Sequence, residues 1–285
     1  MPNIVDRHNW FKWILLGLLI INIGLGVVLY FRPDDLEHIY FFDVGQGDAS
    51  LIKTSENRYI LIDGGPDERI IPALDSVMPM WHRQLDLVIL THPHSDHATG
   101  LLKVLDRYQV KEFWYTGTTY DSETYKTLVA KITASKIPIQ LANQGDNYLT
   151  GNTHLRVVFP PNEQPTANDP NETSVVSLLQ YQNFEVLFTG DASVGNETSY
   201  ATQLPDVDVI KVPHHGSKTA SSQLLLSQSR PEIGVISVGA QNSFGHPSPE
   251  TLARYESAGT KLYRTDTNRT IEIITDGQRY RIRAS

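Results

Sequence analysis

The junction between Leu85–Leu90 (LDLVIL) and Thr91–Gly100 (THPHSDHATG) restricts the fold more than any other stretch of this chain. A short apolar run of that length reads as a buried strand. It ends by delivering His92, His94, Asp96 and His97 within six residues. On a helix these four cannot share one face, whereas on a loop at a strand end they converge from two sides. Imidazole nitrogen together with carboxylate oxygen suits zinc, manganese or iron.

Three more strand ends carry candidate ligands. Phe188-Thr189-Gly190-Asp191 closes an apolar run with an aspartate that can bridge two cations, or simply turn the chain. Lys211 to Ser217, KVPHHGS, places His214 and His215 after another strand, with Gly216 letting backbone approach a ligand. Adjacent histidines on an extended chain point opposite ways. One is therefore expected as a metal ligand, His215 by preference, and the other contacts substrate or packs. Ile62-Asp63-Gly64-Gly65 puts Asp63 where its carboxylate can orient a ligand histidine, or serve a turn.

Composition narrows the chemistry. The 285 residues hold ten histidines and no cysteine. Disulfides, thiolate nucleophiles, iron–sulfur clusters and cysteine-built zinc sites are thereby excluded, so nitrogen and oxygen must supply every ligand. A formal net charge of -8 argues against broad electrostatic coating of nucleic acid. Lys211, Lys218, Arg254, Lys261 and Arg264 flank the histidine motifs and offer a local basic stripe.

The N-terminus points to a membrane. Ile14–Phe31 is eighteen residues without a charge, and Trp10, Phe11 and Trp13 extend it. About 20 apolar residues suffice to span a bilayer as a helix. Arg7 and Lys12 precede the run, while Asp34, Asp35 and Glu37 follow it. The positive-inside bias then places the N-terminal tail in the cytoplasm and the remainder outside. A cleaved signal peptide fits less well, because LYFRPDD after the run lacks a small-x-small site. The expected division is a tail over 1–13, a transmembrane helix over 14–31, a linker over 32–37 and one hydrolase domain over 38–285.

Within that domain, strands are predicted at 39–44, 49–54, 58–63, 85–90, 154–159, 174–181, 184–190, 207–212, 233–238, 262–265, 270–275 and 279–284. Helices are predicted at 70–78, 98–108, 122–135, 221–228 and 249–257. Pro160–Asn171, PPNEQPTANDPN, reads as a surface loop near the site. Periodicity alone supports a mixed α/β class.

The ordered motifs FFDVGQGDASLI, LIDGGP, LTHPHSDHATG, LFTGD, KVPHHGSK and FGHPSPE resemble the metallo-β-lactamase superfamily. Within it they look like the hydrolase domain of ComEC-type bacterial competence proteins. The likeness runs over about residues 38 to 275. It implies an αββα sandwich, here preceded by the one transmembrane helix, and two divalent metal ions, zinc or manganese. His92, His94 and Asp191 would hold one ion; Asp96, His97, Asp191 and His215 would hold the other. A hydroxide between the ions would be the nucleophile, oriented by Asp96. His214, Lys218 and His246 would meet substrate phosphate. Lactamases and many relatives place a histidine upstream of the bridging aspartate. Asn171 falls nearest that position here, so the first metal site is expected to be ligand-poor. Ser248 replaces the second histidine of a GHPHP pattern.

The implied activity is that of a membrane-anchored, outward-facing phosphoesterase, a ComEC-like nuclease acting on DNA beside a separate DNA-uptake channel. A single span cannot itself form such a channel. Three alternatives stand beside it: a phosphodiesterase on phosphocholine or a nucleotide, a lactamase or thioesterase, and a non-catalytic DNA-uptake adaptor.

Overall fold

The computed structural model describes residues 4–30, 34–161 and 169–284. Part of the expected tail (1–3), linker residues Arg32 and Pro33, and residues 162–168 of the proline-rich loop lie outside them. The described residues form two compact units, an N-terminal helix and everything from Asp35 onward.

The first unit is one α-helix, Ile4–Tyr30, about 40 Å long at 1.5 Å per residue. Its segment Trp10–Val28 is long and apolar enough to cross a membrane. The helix begins ten residues before the apolar run, so Arg7 and Lys12 lie within it. Asn22 donates Nδ2 to the Leu18 carbonyl at 2.7 Å, which pairs one of its amide hydrogens within the helix.

The second unit is the expected αββα sandwich. One sheet has eight strands in the order Tyr280–Ala284, Ile271–Thr275, Glu37–Phe41, Ser50–Lys53, Tyr59–Ile62, Leu87–Ile89, Phe113–Tyr115 and Ile139–Leu141. The other has seven: Lys261–Arg264, Ile233–Ile236, Val209–Lys211, Phe184–Phe188, Val176–Tyr181, Thr153–Phe159 and Asn147–Thr150. Strict alternation along buried strands fills two layers at once. Ile60, Ile62, Leu87 and Ile89 meet Leu155, Val186, Phe188 and Val209 between the sheets. Leu61 and Val88 point the other way, to helices Ile70–Val77, Ser95–Arg107 and Glu123–Ala134. Leu187, Ile210 and Ile236 likewise pack among outer-layer residues that include Tyr200, Leu225 and Tyr255.

The predicted strand over 85–90 is divided. Leu85 pairs with Val110 in a separate two-stranded sheet, and only Leu87–Ile89 join the large one. Asp86 makes the break. Its buried carboxylate accepts from the Tyr59 backbone N–H at 3.0 Å and pairs with Arg58 and Lys111. Strands Phe113–Tyr115, Ile139–Leu141 and Asn147–Thr150 were not expected; at three or four residues each, they carry too little periodicity to read.

Topology places the site. Strands Tyr59–Ile62, Leu87–Ile89 and Phe113–Tyr115 run parallel in one sheet, as do Phe184–Phe188, Val209–Lys211 and Ile233–Ile236 in the other. Their carboxyl ends therefore open on the same side within each sheet, where ligand-bearing loops collect.

Candidate metal centre

Each candidate residue leaves one of those strand ends. Asp63 follows Ile62 with φ 61°, a left-handed conformation that aspartate tolerates. His92 follows the Leu87–Ile89 strand, Asp191 follows Phe188, and His214 and His215 follow Lys211.

The histidine-rich segment is not all loop. The helix expected from Ala98 begins at Ser95, with His94 as its N-cap residue. The His94 carbonyl accepts from His97 N (3.1 Å) and Ala98 N (3.0 Å), closing the first turn. Asp96 and His97 thus stand on the helix, and Asp96 gains from its dipole. The close fit of this turn explains Gly47, where a Cβ would lie 2.2 Å from the Asp96 carbonyl oxygen.

The expectation of an extended His214–His215 pair is also corrected. Both residues are left-handed, with φ,ψ of 51°,46° and 53°,23°. Two such residues in succession curl the chain, so both rings turn towards Asp191 instead of opposing each other. Asp191 Oδ2 lies 3.8 Å from His214 Nε2 and 3.4 Å from His215 Nε2. Non-glycine residues in this region cost about 1–3 kcal/mol each, so the surroundings must enforce it.

Around Asp191 the imidazoles form a ring. His92 Nε2 is 3.9 Å from Oδ2 and His97 Nε2 is 3.5 Å from Oδ1. Asp96 Oδ2 is 3.4 Å from His215 Nε2 and 4.0 Å from His97 Nε2. These gaps are long for hydrogen bonds. They match ligand atoms around zinc, which at 2.0–2.1 Å from a tetrahedral ion stand about 3.4 Å apart. Among the described residues four groupings of three result: His92, His97 and Asp191; Asp96, His97 and His215; Asp48, Asp63 and His97; and Asp48, Asp191 and His215. His97 belongs to three of them and Asp191 to two. His94 belongs to none, but its Nδ1 is 3.1 Å from His92 Nε2.

The rear nitrogens are engaged. His97 Nδ1 donates to Asp63 Oδ2 at 2.8 Å, and Asp63 also accepts from Thr91 N and Oγ1 at 2.8 and 2.7 Å. His215 Nδ1 lies 2.9 Å from the Ser237 carbonyl oxygen and 3.2 Å from Asp48 Oδ1. This leaves His97 Nε2, His215 Nε2 and Asp191 Oδ1 buried without a hydrogen-bond partner. Buried polar atoms are normally paired, so three aimed at one point fit a cation.

Charge agrees with geometry. Asp48, Asp63, Asp96 and Asp191 share the centre with one ammonium, that of Lys211. Burial opposes protonation of His97 and His215, yet the surrounding carboxylates hold both pKa values well above the ordinary one. Burial acts on Asp191 and Asp96 in the opposite sense, and the two histidines outweigh it, holding both carboxyls down. His92 is held well below by burial and by His97. Lys211 and the proton-binding His97 and His215 supply part of the positive charge these carboxylates call for, and divalent ions would supply it in place of the imidazole protons.

Asp48 and Lys211 were not among the expected site residues. Asp48 Oδ2 takes Lys211 Nζ at 2.5 Å, both buried, and Oδ1 faces His215. Lys211 therefore cannot belong to an exposed basic stripe. Arg264 is paired with Asp266, and Arg254 donates to the Lys218 carbonyl. Lys218 is exposed.

The centre floors an open cleft of about 330 Å³. His94, Asn171, His214 and His246 line it, with Gln46, Tyr120 and Phe244 near its rim. Asn171 sits in the turn Pro170–Thr173, buried, with Oδ1 unpartnered. Burial first, and neighbouring histidines, lower the pKa values of His214 and His246, against an opposing pull from Asp191. Among the described residues no lysine or arginine lines the cleft.

Comparisons with known proteins agree with this architecture. The profile of the family described as "Metallo-beta-lactamase superfamily" matches residues 42–240. "Recombination protein 2" of Haemophilus influenzae is 34% identical over 223 residues, 76% of this chain and 26% of that protein. "Competence protein ComA" of Neisseria gonorrhoeae is 28% identical over 247 residues, 82% of this chain and 32% of that protein. The chain thus spans about a quarter to a third of the length of these curated relatives. Igni18, a metallo hydrolase from Ignicoccus hospitalis, superposes with a TM-score of 0.54 at 17% identity, covering 83% of this chain and 98% of that one. At that identity the likeness is one of fold.

Proposed function

The chain belongs to the metallo-beta-lactamase superfamily, and from that premise we propose a membrane-anchored, outward-facing, metal-dependent phosphoesterase that cleaves DNA. The observation that carries this reading is the set of unpartnered imidazole and carboxylate atoms around Asp191, at the floor of an open cleft. The names of the relatives, recombination and competence proteins, support DNA as the substrate.

His92, His94, Asp96, His97, Asp191 and His215 would hold two divalent ions, zinc or manganese. When bound, such ions supply an acidified water and neutralise charge on a phosphoryl oxygen. Asp63 and Asp48 fix the faces of His97 and His215 from behind. Asp96 would accept a hydrogen bond from that water. His214 and His246, at the cleft wall, contact the phosphate, and Asn171 stands where many relatives carry a further histidine. Lys218, exposed beyond His215, assists a longer substrate.

Arg7 and Lys12 before the apolar helix, and Asp34, Asp35 and Glu37 after it, favour a cytoplasmic N-terminus. On that reading the anchor covers 14–31, the linker 32–37 and the hydrolase domain 38–285, beside a separate DNA-uptake channel.

The test uses the full chain in detergent with manganese or zinc, against single-stranded DNA, nucleotide and phosphocholine esters. Wild type cleaves DNA, and both Asp191→Ala and His97→Ala abolish cleavage. Unchanged rates in both variants overturn the site, and a chain that purifies without stoichiometric metal favours a non-catalytic adaptor. One observation favours a second reading, a smaller phosphodiester: the net charge is -8, and Lys211 and Arg264 are engaged in ion pairs.

A further inference from the structure

Phe244 is a large apolar side chain, 66% exposed, on the rim of the cleft. Exposure of one apolar residue is ordinary in itself. The support beneath this one is not. Asn242 spends its whole side chain on the turn that carries Phe244. Its Nδ2 donates to the Gly239 and His246 carbonyls at 2.9 and 2.7 Å. Its Oδ1 accepts from Phe244 N and His246 N at 3.2 and 3.0 Å. Gly239 in turn donates to Gln46 Oε1 at 3.1 Å, tying the turn to the opposite sheet's loop. The backbone turn that carries the ring is thus fixed at the rim.

Its orientation leads to the metal centre. Phe244 stacks on His246, ring centroids 5.9 Å apart at 18°. His246 meets His214 edge-on at 5.8 Å, and His214 Nε2 is 3.8 Å from Asp191. The outer face of Phe244 therefore lies two ring contacts from the histidine that faces Asp191. No lysine or arginine lines the cleft among the described residues, so beyond the metal ions themselves no side-chain cation there attracts the rest of a polyanion. An aromatic face supplies it differently, by stacking on a base, which requires that base to be unpaired.

We propose that Phe244 is a stacking platform for the unpaired nucleobase next to the scissile phosphate, so that the substrate is a single strand rather than a duplex. This rests on the phosphodiesterase reading above for its placement of the phosphate. The Asn242 clamp orders in advance the backbone turn that carries the ring.

The test measures binding and cleavage separately, with the full chain in detergent. A single-stranded oligonucleotide carrying 2-aminopurine reports stacking by fluorescence quenching, and an abasic strand of equal length is the base-free probe. Wild type quenches the fluorophore and binds the abasic strand at least about tenfold more weakly. Phe244→Ala weakens binding of the base-bearing strand by about tenfold or more, and Phe244→Trp restores it. Met80→Ala, on an exposed residue that does not line the cleft, behaves as wild type. The exposed position lets Phe244→Ala fold, which its thermal unfolding checks. Absence of quenching in wild type, or wild-type affinity in Phe244→Ala, overturns the platform. Quenching without cleavage of either strand leaves the platform standing and overturns the phosphodiesterase reading; equal binding and cleavage of both strands does the reverse.

Discussion

Asp63 holds His97 from behind. Its Oδ2 accepts the Nδ1 proton at 2.8 Å, which fixes the tautomer and leaves Nε2 directed at Asp191 Oδ1, 3.5 Å away. Thr91 fastens the same carboxylate through both its N–H and its hydroxyl. Asp63→Asn keeps the shape but removes the charge that makes the imidazole a strong ligand. Metal affinity is expected to fall about 10- to 100-fold. Asp63→Ala also strands Thr91 and His97 and lowers stability by about 1–3 kcal/mol. Metal titration of the two variants, alongside thermal unfolding, separates ligand tuning from packing. Equal metal affinity in wild type and Asp63→Asn refutes the tuning role.

Removal of metal should loosen the fold around the centre. Four carboxylates converge there with Lys211, His97 and His215, and a bound ion would hold them together. A ligand at a hundredfold its Kd stabilises a protein by about 2.7 kcal/mol. Chelator-treated chain is therefore expected to melt several degrees lower, with recovery on adding manganese or zinc. Asp191→Ala should show no difference between the two states. A wild-type melting temperature indifferent to chelator would sink the assignment.

How much of this was legible in the sequence differs by residue. His92, His94, Asp96 and His97 are neighbours in the chain, so their residue types alone announce a site. Asp191 and His215 were readable because each follows an apolar strand. Asp48 and Lys211 were not: an aspartate after a glycine turn and a lysine ending a strand are ordinary surface features, and only the packing of two sheets buries them together. Phe244 was quoted within a motif, but its exposure is a property of the fold. The left-handed His214 and His215 ran against backbone preference, which sequence reasoning must follow. The αββα class came from the resemblance, since alternation in short strands states only that both faces are buried.

Lys211 and Asp48 should depend on each other. Both are buried, so removing the cation leaves a carboxylate without compensation. Lys211→Met is expected to cost about 3–5 kcal/mol. The double variant Lys211→Met with Asp48→Asn should recover much of that loss, because the orphaned charge is gone. Denaturant unfolding of the two single variants and the double gives the coupling. Strict additivity would show that the pair does not act as a unit.

A pH dependence of stability should trace to Glu37, away from the metal centre. Glu37 begins the strand Glu37–Phe41 and is fully buried. Thr153 donates its hydroxyl to Oε1, while Oε2 has no hydrogen-bond partner. Burial pushes its pKa up to about 8; Thr153 offsets part of this, and Glu56 adds to it. The unfolded carboxyl ionises near its ordinary value of 4.5, so between 4.5 and 8 the folded state holds a proton that the unfolded state has released. Stability is then full below pH 4.5 and declines as pH rises to 8, by at most about 5 kcal/mol. Above pH 8 both states are ionised and the slope from this group ends. Glu37→Gln keeps an acceptor for Thr153 and cannot ionise. It should match wild type near pH 4.5 and exceed it at pH 9. Urea unfolding of both chains at three pH values measures this difference. An identical fall in the variant would assign the slope to other groups.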